Sequence, residues 1–202
     1  MKTRYFLPFL ALILNLSFSN NSIYAQTKTD VWDFGADQLD TDTYNNMLDA
    51  ATINAWYPSS VTPGSAGNTF PSSFTSGILS WTSNGTNDRL RTSNTDLTRY
   101  DSNAVPVTWG SETLRGYLYI NSGGNLNRFF TLNLNEDDEL TILAKSQNGT
   151  GKMTFELTGE AGQKDVHDLT TSVNEYSFVA QKAGAYKIYD SVDKPFYYRI
   201  YR

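Results

Sequence analysis

The chain has 202 residues, with 16 basic and 21 acidic residues, one histidine and no cysteine. A thiolate nucleophile is therefore excluded, as is any metal site built from several histidines or cysteines. The formal net charge is −5, and no run of Lys or Arg is present; a nucleic-acid partner is not expected, because phosphate binding needs a basic face.

Residues 1–25 have the pattern of a secretory signal peptide. Basic residues precede an almost wholly apolar run from Phe6 to Leu16, and Ala25 supplies the small residue that a signal peptidase requires. The apolar run is much shorter than the roughly 20 residues that cross a bilayer, so no membrane span is expected. We predict cleavage after Ala25, secretion to the periplasm or the exterior, and one domain over residues 26–202.

One short helix is predicted near the N-terminus of that domain. Tyr44, Met47 and Leu48 have helical spacing, and the Asp- and Thr-rich segment 40–43 before them offers capping side chains. The following segment, 57–68, is rich in Pro, Gly and Ser and is predicted to be a loop.

The rest of the chain has the alternation of apolar and polar residues that is typical of β-strands. Asn-, Gly- and Asp-rich turns separate the alternating runs. The predicted strands cover residues 78–82, 115–120, 130–134, 140–144, 153–157, 176–180, 186–188 and 196–200. This pattern predicts an all-β fold, an antiparallel two-sheet β-sandwich of jelly-roll-like form with one short N-terminal helix.

All four tryptophans lie in the first part of the domain. Trp32 sits in an apolar run and is predicted to be core, whereas Trp56, Trp81 and Trp109 lie among polar residues. Sugars stack their apolar faces on aromatic rings while neighbouring polar groups bind the hydroxyls. These three are candidate ligand-binding residues; for Trp81 and Trp109, burial in the core is an equally open alternative.

Three arginines form the densest basic group of this acidic chain. Arg89, Arg91 and Arg99 could bind the carboxylates of a uronic-acid polymer, since guanidinium groups pair bidentately with carboxylates. Pairing with the neighbouring aspartates is the alternative.

Other polar features have structural interpretations. His167 lies between two aspartates and is interpreted as a solvated loop histidine. The acidic segment 135–139 is interpreted as a turn between two strands. Its oxygens could also hold a structural calcium ion, although the spacing matches no calcium-loop signature. No cofactor is required by any feature of the chain.

Several sequence blocks together resemble the N-terminal accessory domain of secreted bacterial pectate lyases and related pectin-degrading proteins. The match covers nearly the whole predicted mature chain. It rests on residues 31–36, 43–48, 53–57, 61–64, 87–92, 97–101, 116–121, 134–139, 184–190 and 197–201.

This resemblance implies a non-catalytic, jelly-roll-like domain that binds plant or algal polysaccharide, with pectin or another uronic-acid polysaccharide as the expected ligand. In that family the domain precedes a catalytic parallel β-helix. The chain ends at Arg202, where the accessory domain would end, so lyase activity does not carry over and we expect no enzyme here. A catalytic domain or a separate enzyme is an expected partner.

Two other functions are compatible with the sequence. The first is a structural or protein-interaction β-sandwich of the cell surface, in which the tryptophans are buried. The second is a small polysaccharide lyase in its own right, with Tyr and Lys or Arg as acid and base.

Overall fold

The computed structural model describes residues 29–34, 44–48, 50–56, 73–82, 89–92, 106–114, 116–120, 128–159 and 163–202. Over these ranges the chain forms a series of short strands and one helix. The helix is α1 (Ala50–Ala55). The strands are β1 (Thr29–Asp33), β2 (Tyr44–Leu48), β3 (Ser73–Ser76), β4 (Leu79–Thr82), β5 (Arg89–Thr92), β6 (Val107–Trp109), β7 (Glu112–Leu114), β8 (Gly116–Tyr119), β9 (Phe129–Leu134), β10 (Glu139–Ser146), β11 (Lys152–Leu157), β12 (Lys164–Asp168), β13 (Asn174–Val179), β14 (Gly184–Asp190) and β15 (Pro195–Tyr201).

The strands form two large sheets and a separate hairpin. Sheet A has the order β13-β10-β15-β1-β2, and β8 and β5 extend it along the other half of β15. Sheet B has the order β12-β11-β14-β9-β4-β3, and β6 and β7 form the hairpin. Within the described residues, all strand pairs are antiparallel except β1 with β2. The predicted all-β sandwich is therefore confirmed.

The main core lies between the two sheets because each strand turns its apolar positions inward. Phe130, Leu132 and Leu134 alternate with less buried residues along β9. The rings of Phe155 and Phe178 stack with centroids 4.9 Å apart. Burial of these side chains is the main source of the stability of the sandwich.

Trp32 belongs to this core, as predicted. It is fully buried, and its indole Nε1 donates a hydrogen bond of 2.8 Å to the carbonyl oxygen of Ser76. The bond satisfies the polar atom of the ring, which would otherwise be costly to bury.

A short N-terminal helix is present, but it includes none of the residues from which it was predicted. Tyr44–Leu48 forms β2, and the helix follows at Ala50–Ala55. The register with β1 explains the misleading spacing: Val31 lies opposite Asn46 and Trp32 opposite Leu48, so one extra residue is inserted in β2. Such a bulge interrupts the alternation of a strand and brings consecutive apolar residues to the core.

His167 lies in a strand, which corrects the prediction of a loop. It belongs to β12 at the edge of sheet B, where it is paired opposite Met153. Its ring meets Phe155 edge-on with centroids 5.6 Å apart. Four of the five residues of β12 are exposed, so the alternation that would identify a strand is missing from this edge.

The acidic segment after β9 is a turn, as predicted. The backbone N–H of Asn135 donates to Asp138 Oδ2 at 2.7 Å, and Asp137 has a positive φ of 66°. An aspartate tolerates this left-handed conformation better than most residues.

The predicted signal peptide, residues 1–25, and the predicted loop, residues 57–68, lie outside the described residues. In the part of the chain that is described, no helix combines the length and apolarity needed to cross a membrane.

Candidate functional site

A β-bulge in β15 shapes the outer face of sheet A. Leu143 is opposite Arg199 and Ala144 is opposite Tyr197, so Tyr198 is the extra residue. Tyr197 packs in the core between the sheets, while Tyr198 packs on the outer face. The bulge thus places a second aromatic layer on the side of sheet A that faces away from sheet B.

We call this layer the outer-face cluster. The β6–β7 hairpin covers the middle of sheet A and contributes Leu114, Val107 and Trp109 to the cluster. The other members come from β8, β10, β15 and the turn before β13, and they are Tyr117, Tyr119, Leu143, Val173, Phe196 and Tyr198. Because both its faces are apolar, sheet A buries side chains on two sides.

Arg199 connects the hairpin to sheet A through ion pairs. Its Nε donates to Asp33 Oδ2 at 2.9 Å, and its Nη1 is hydrogen-bonded to Glu112 Oε2 of the hairpin. Burial alone would lower the pKa of Arg199, but the adjacent Asp33 raises it overall. The guanidinium therefore stays charged and holds the hairpin in place.

An open groove lies on the outer face beside the hairpin. Its volume is about 470 Å³. The groove is lined by side chains from the hairpin and from five strands of sheet A: Thr29, Tyr44, Trp109, Glu112, Glu139, Thr141, Glu175, Ser177 and Tyr201.

The groove combines aromatic rings with a polar floor. Trp109, Tyr44 and Tyr201 are each partly exposed, and the two tyrosine rings have centroids 6.2 Å apart. Between them and β13, the hydroxyls of Thr141 and Ser177 lie 2.8 Å apart. Rings beside hydroxyl groups are what a carbohydrate site requires.

Tyr201 is unsuited to act as a base. Burial raises the pKa of its phenol, and the nearby Arg199 lowers it only in part. A general base works best when its pKa lies near the operating pH. Tyr201 therefore remains a neutral phenol, which can donate or accept a hydrogen bond.

The structure places the three candidate tryptophans in different surroundings. Trp109 lies in the groove. Trp81 is 1% exposed and packs against Phe130 with centroids 4.7 Å apart, as the core alternative for this residue expects. Trp56 is partly buried and stacks on Phe74 at 4.2 Å, away from the groove lining.

Two of the three candidate arginines lie on one strand of sheet A. In β5, Arg89 is opposite Tyr119 and Arg91 is opposite Tyr117. Arg99 lies outside the described residues.

No protein-family model and no curated protein matches the chain. Several solved structures do match. One is a family two carbohydrate esterase from Cellvibrio japonicus, at 12% identity and a TM-score of 0.34, over 42% of this chain and 26% of the esterase.

Two further matches cover a larger share of the matched protein. A structure from work on the Ruminococcus flavefaciens cellulosome and its expansion in glycan recognition matches at 12% identity and a TM-score of 0.41, over 87% of this chain and 92% of the other. A carbohydrate-binding module of Cellvibrio mixtus lichenase 5A, in complex with cellotriose, matches at 16% identity and a TM-score of 0.34, over 48% and 82%.

Sequence reasoning missed most of the groove. Tyr44, Tyr201 and the three glutamates at 112, 139 and 175 are far apart along the chain and meet only through strand pairing. The pairing of β15 with both β1 and β10 brings them together. The sequence gives one signal of this site. The alternation in the final strand places Tyr201 on the face that points away from the core.

The described residues contain no group of three or more His, Asp and Glu side chains arranged to hold a metal ion. The carboxylate of Asp138, within the segment considered for calcium, accepts hydrogen bonds from Arg202, with Nη2 at 2.9 Å. The calcium expectation for this segment stays a prediction.

Proposed function

We propose that this protein is a secreted, non-catalytic carbohydrate-binding domain that holds a polysaccharide in the groove beside the β6–β7 hairpin. The observation that carries the proposal is the arrangement of Trp109, Tyr44 and Tyr201, three partly exposed rings around one groove of about 470 Å³. Ligand pockets in proteins have volumes of roughly 300 to 1,000 Å³.

The groove offers both kinds of contact that a sugar needs. The rings can stack on the C–H faces of the sugar units, and such contacts contribute about 0.5 to 1.5 kcal/mol each beyond the area they bury. Thr141, Ser177 and the groove carboxylates can exchange hydrogen bonds with sugar hydroxyls. Because the groove is open, a sugar chain can continue beyond the bound units.

The sequence resemblance supports pectin as the polymer. It also supports a role beside a catalytic domain or enzyme, which this domain would hold near the substrate. Arg89 and Arg91 of β5 remain candidate contacts for the ligand.

The residues of the groove favour binding over catalysis. The phenol of Tyr201 has a raised pKa, and Arg199 is held by Asp33 and Glu112 beneath the surface. A lyase would need a base and an acid free to exchange protons with the substrate. The described groove supplies neither from this Tyr–Arg pair.

Affinity electrophoresis of the purified protein in gels containing pectin, xylan or a soluble cellulose derivative tests the proposal. We expect retardation by at least one polymer, and a roughly tenfold weaker affinity for Trp109→Ala. Phe129→Ala is the matched control, because Phe129 is also partly exposed but lies on β9 of sheet B with Lys187 Nζ 4.4 Å from its ring centroid.

Unchanged mobility in every gel would overturn the proposal and favour the protein-interaction alternative. Equal losses in Trp109→Ala and Phe129→Ala would show that the ligand binds elsewhere. Circular dichroism of both variants distinguishes a binding defect from unfolding.

A further inference from the structure

Three carboxylates line the groove, and one of them, Glu112, is paired with Arg199. Glu112, Glu139 and Glu175 are exposed along its lining, and the described lining includes no Lys or Arg. Glu139 and Glu175 lie on the neighbouring strands β10 and β13 of sheet A. Any group bound between them and the hairpin would therefore lie among carboxylates.

Two described arginines beside the groove are already paired with carboxylates. Arg199 is paired with Asp33 and Glu112. Arg202 is paired with Asp30 at 3.4 Å and with Asp138 at 2.9 Å. Each guanidinium is thus held by two carboxylates, and neither is left over to receive an anionic ligand.

We infer that the groove accepts an uncharged stretch of sugar chain and discriminates against uronate. This inference rests on the proposed carbohydrate-binding function and specifies its ligand. Carboxylates accept strong hydrogen bonds from neutral hydroxyl groups, whereas a second carboxylate at contact distance is repelled. In pectin, the acceptable units would be methyl-esterified and the rejected units would be the free acids.

The magnitude of the repulsion is sufficient to measure. Two like charges about 4 Å apart in water repel strongly enough to weaken binding roughly fivefold. A ligand unit facing more than one of the glutamates would lose more. The discrimination should shrink as salt is added, because ions screen exposed charges beyond about 10 Å at 0.1 M.

Two matched ligand pairs test the inference. One is a highly methyl-esterified pectin and the same preparation after saponification; the other is hydroxyethyl cellulose and carboxymethyl cellulose. Dissociation constants are measured with the full protein in EDTA, which removes calcium bridging. We expect an uncharged member to bind, and its anionic counterpart to bind at least fivefold more weakly.

Glu139→Gln/Glu175→Gln tests whether the groove causes the difference. The double variant keeps the size of both side chains. It should reduce the gap, meaning the ratio of the two dissociation constants within a pair, by fivefold or more. Asp168→Asn is the control: it removes a carboxylate of β12 that pairs with Lys152 in sheet B, outside the groove lining, and should leave the gap unchanged.

The possible failures are distinguishable. If no polymer binds, the proposed function itself fails. If saponified pectin binds as tightly as the esterified form, carbohydrate binding stands and the discrimination is overturned. A gap that is unaffected by the double variant also overturns the inference, because the charge responsible would lie elsewhere.

Discussion

Arg199 Nε lies 2.9 Å from Asp33 Oδ2, and this ion pair joins β15 to β1. Both side chains are almost fully buried, with 6% and 4% exposed. The same guanidinium binds Glu112 of the hairpin. One cation therefore fixes a strand near the start of the described chain, its last strand and the wall of the groove.

Asp33→Ala should destabilise the protein by about 3 kcal/mol. Removing one partner of a buried pair leaves the other charge poorly compensated, which typically costs 3 to 5 kcal/mol. Glu112 remains beside Arg199 and limits the loss. Urea unfolding at neutral pH measures the change.

Lys152→Ala is the contrasting variant. Its pair with Asp168 is exposed, and surface pairs contribute at most about 1 kcal/mol. Similar decreases in unfolding free energy for Asp33→Ala and Lys152→Ala would show that the buried ion pair stabilises the protein no more than the exposed one.

Much of the fold follows from the sequence where strands have one buried face. Phe130, Leu132 and Leu134 alternate with outward residues in β9, and the run predicts the strand correctly. The prediction fails where pairing is irregular. The bulge opposite β1 disguises β2 as a helix, and β12 shows no alternation because most of it is exposed.

The site is less predictable than the fold. Trp109 lies among polar neighbours in the sequence, a pattern that favours a surface aromatic residue, and it lines the groove. Tyr44 and Tyr201 meet through the pairing of β1 with β2 and β15, which depends on topology that one sequence does not reveal. The burial of Trp81 follows from the place of β4 beside β9 within sheet B, and its own neighbours in sequence give no sign of it.

Trp32→Phe should lower the free energy of unfolding by about 2 kcal/mol. The substitution removes the hydrogen bond from Nε1 to Ser76 O and leaves a small cavity in the core. Trp56→Phe, at a partly buried position outside this contact, should cost less. Denaturant melts of both variants provide the comparison, and equal losses would contradict the role given to the bond.

Asp190→Asn should change the dependence of stability on pH. Burial raises the pKa of Asp190 above its ordinary value of 3.8, and Asp193 adds to the increase although backbone N–H groups oppose it. The folded state thus binds this proton more tightly than the unfolded state. The resulting stabilisation is present below pH 3.8 and is lost as the pH rises through the raised pKa.

Asn at position 190 keeps an oxygen for the N–H groups of Val192 and Asp193 but carries no charge. Unfolding free energies measured between pH 4 and pH 7 should therefore decrease more in the wild-type protein than in Asp190→Asn. Parallel curves would show that this carboxyl does not contribute to the pH dependence.

Asp193→Asn should have the opposite effect on the pH dependence of stability. Burial would raise the pKa of Asp193, but hydrogen bonds from Ser146 and Asn148 lower it overall. Its stabilisation is present above pH 3.8 and is lost as the pH falls through the lowered pKa. The variant should therefore lose most stability at neutral pH. A loss of stability confined to acidic pH would contradict this assignment.

Tryptophan fluorescence should report ligand binding through a single residue. Trp32 and Trp81 are buried, with 0% and 1% exposed, so acrylamide should quench them poorly. A bound sugar chain would cover Trp109 and change its emission. The change should persist in Trp56→Phe and disappear in Trp109→Phe; a response that survives in Trp109→Phe would place the ligand outside the groove.

Incubation with pectin or polygalacturonate should produce no ultraviolet absorbance from unsaturated uronic-acid ends. β-Elimination requires a base that removes a proton from the sugar ring, and the raised pKa of Tyr201 keeps its phenol neutral near pH 7. Raising the pH would favour the phenolate, so the assay should extend to alkaline conditions. Absorbance that grows with time and is lost in Tyr201→Phe would instead establish a lyase, because phenylalanine keeps the ring for stacking but cannot exchange a proton.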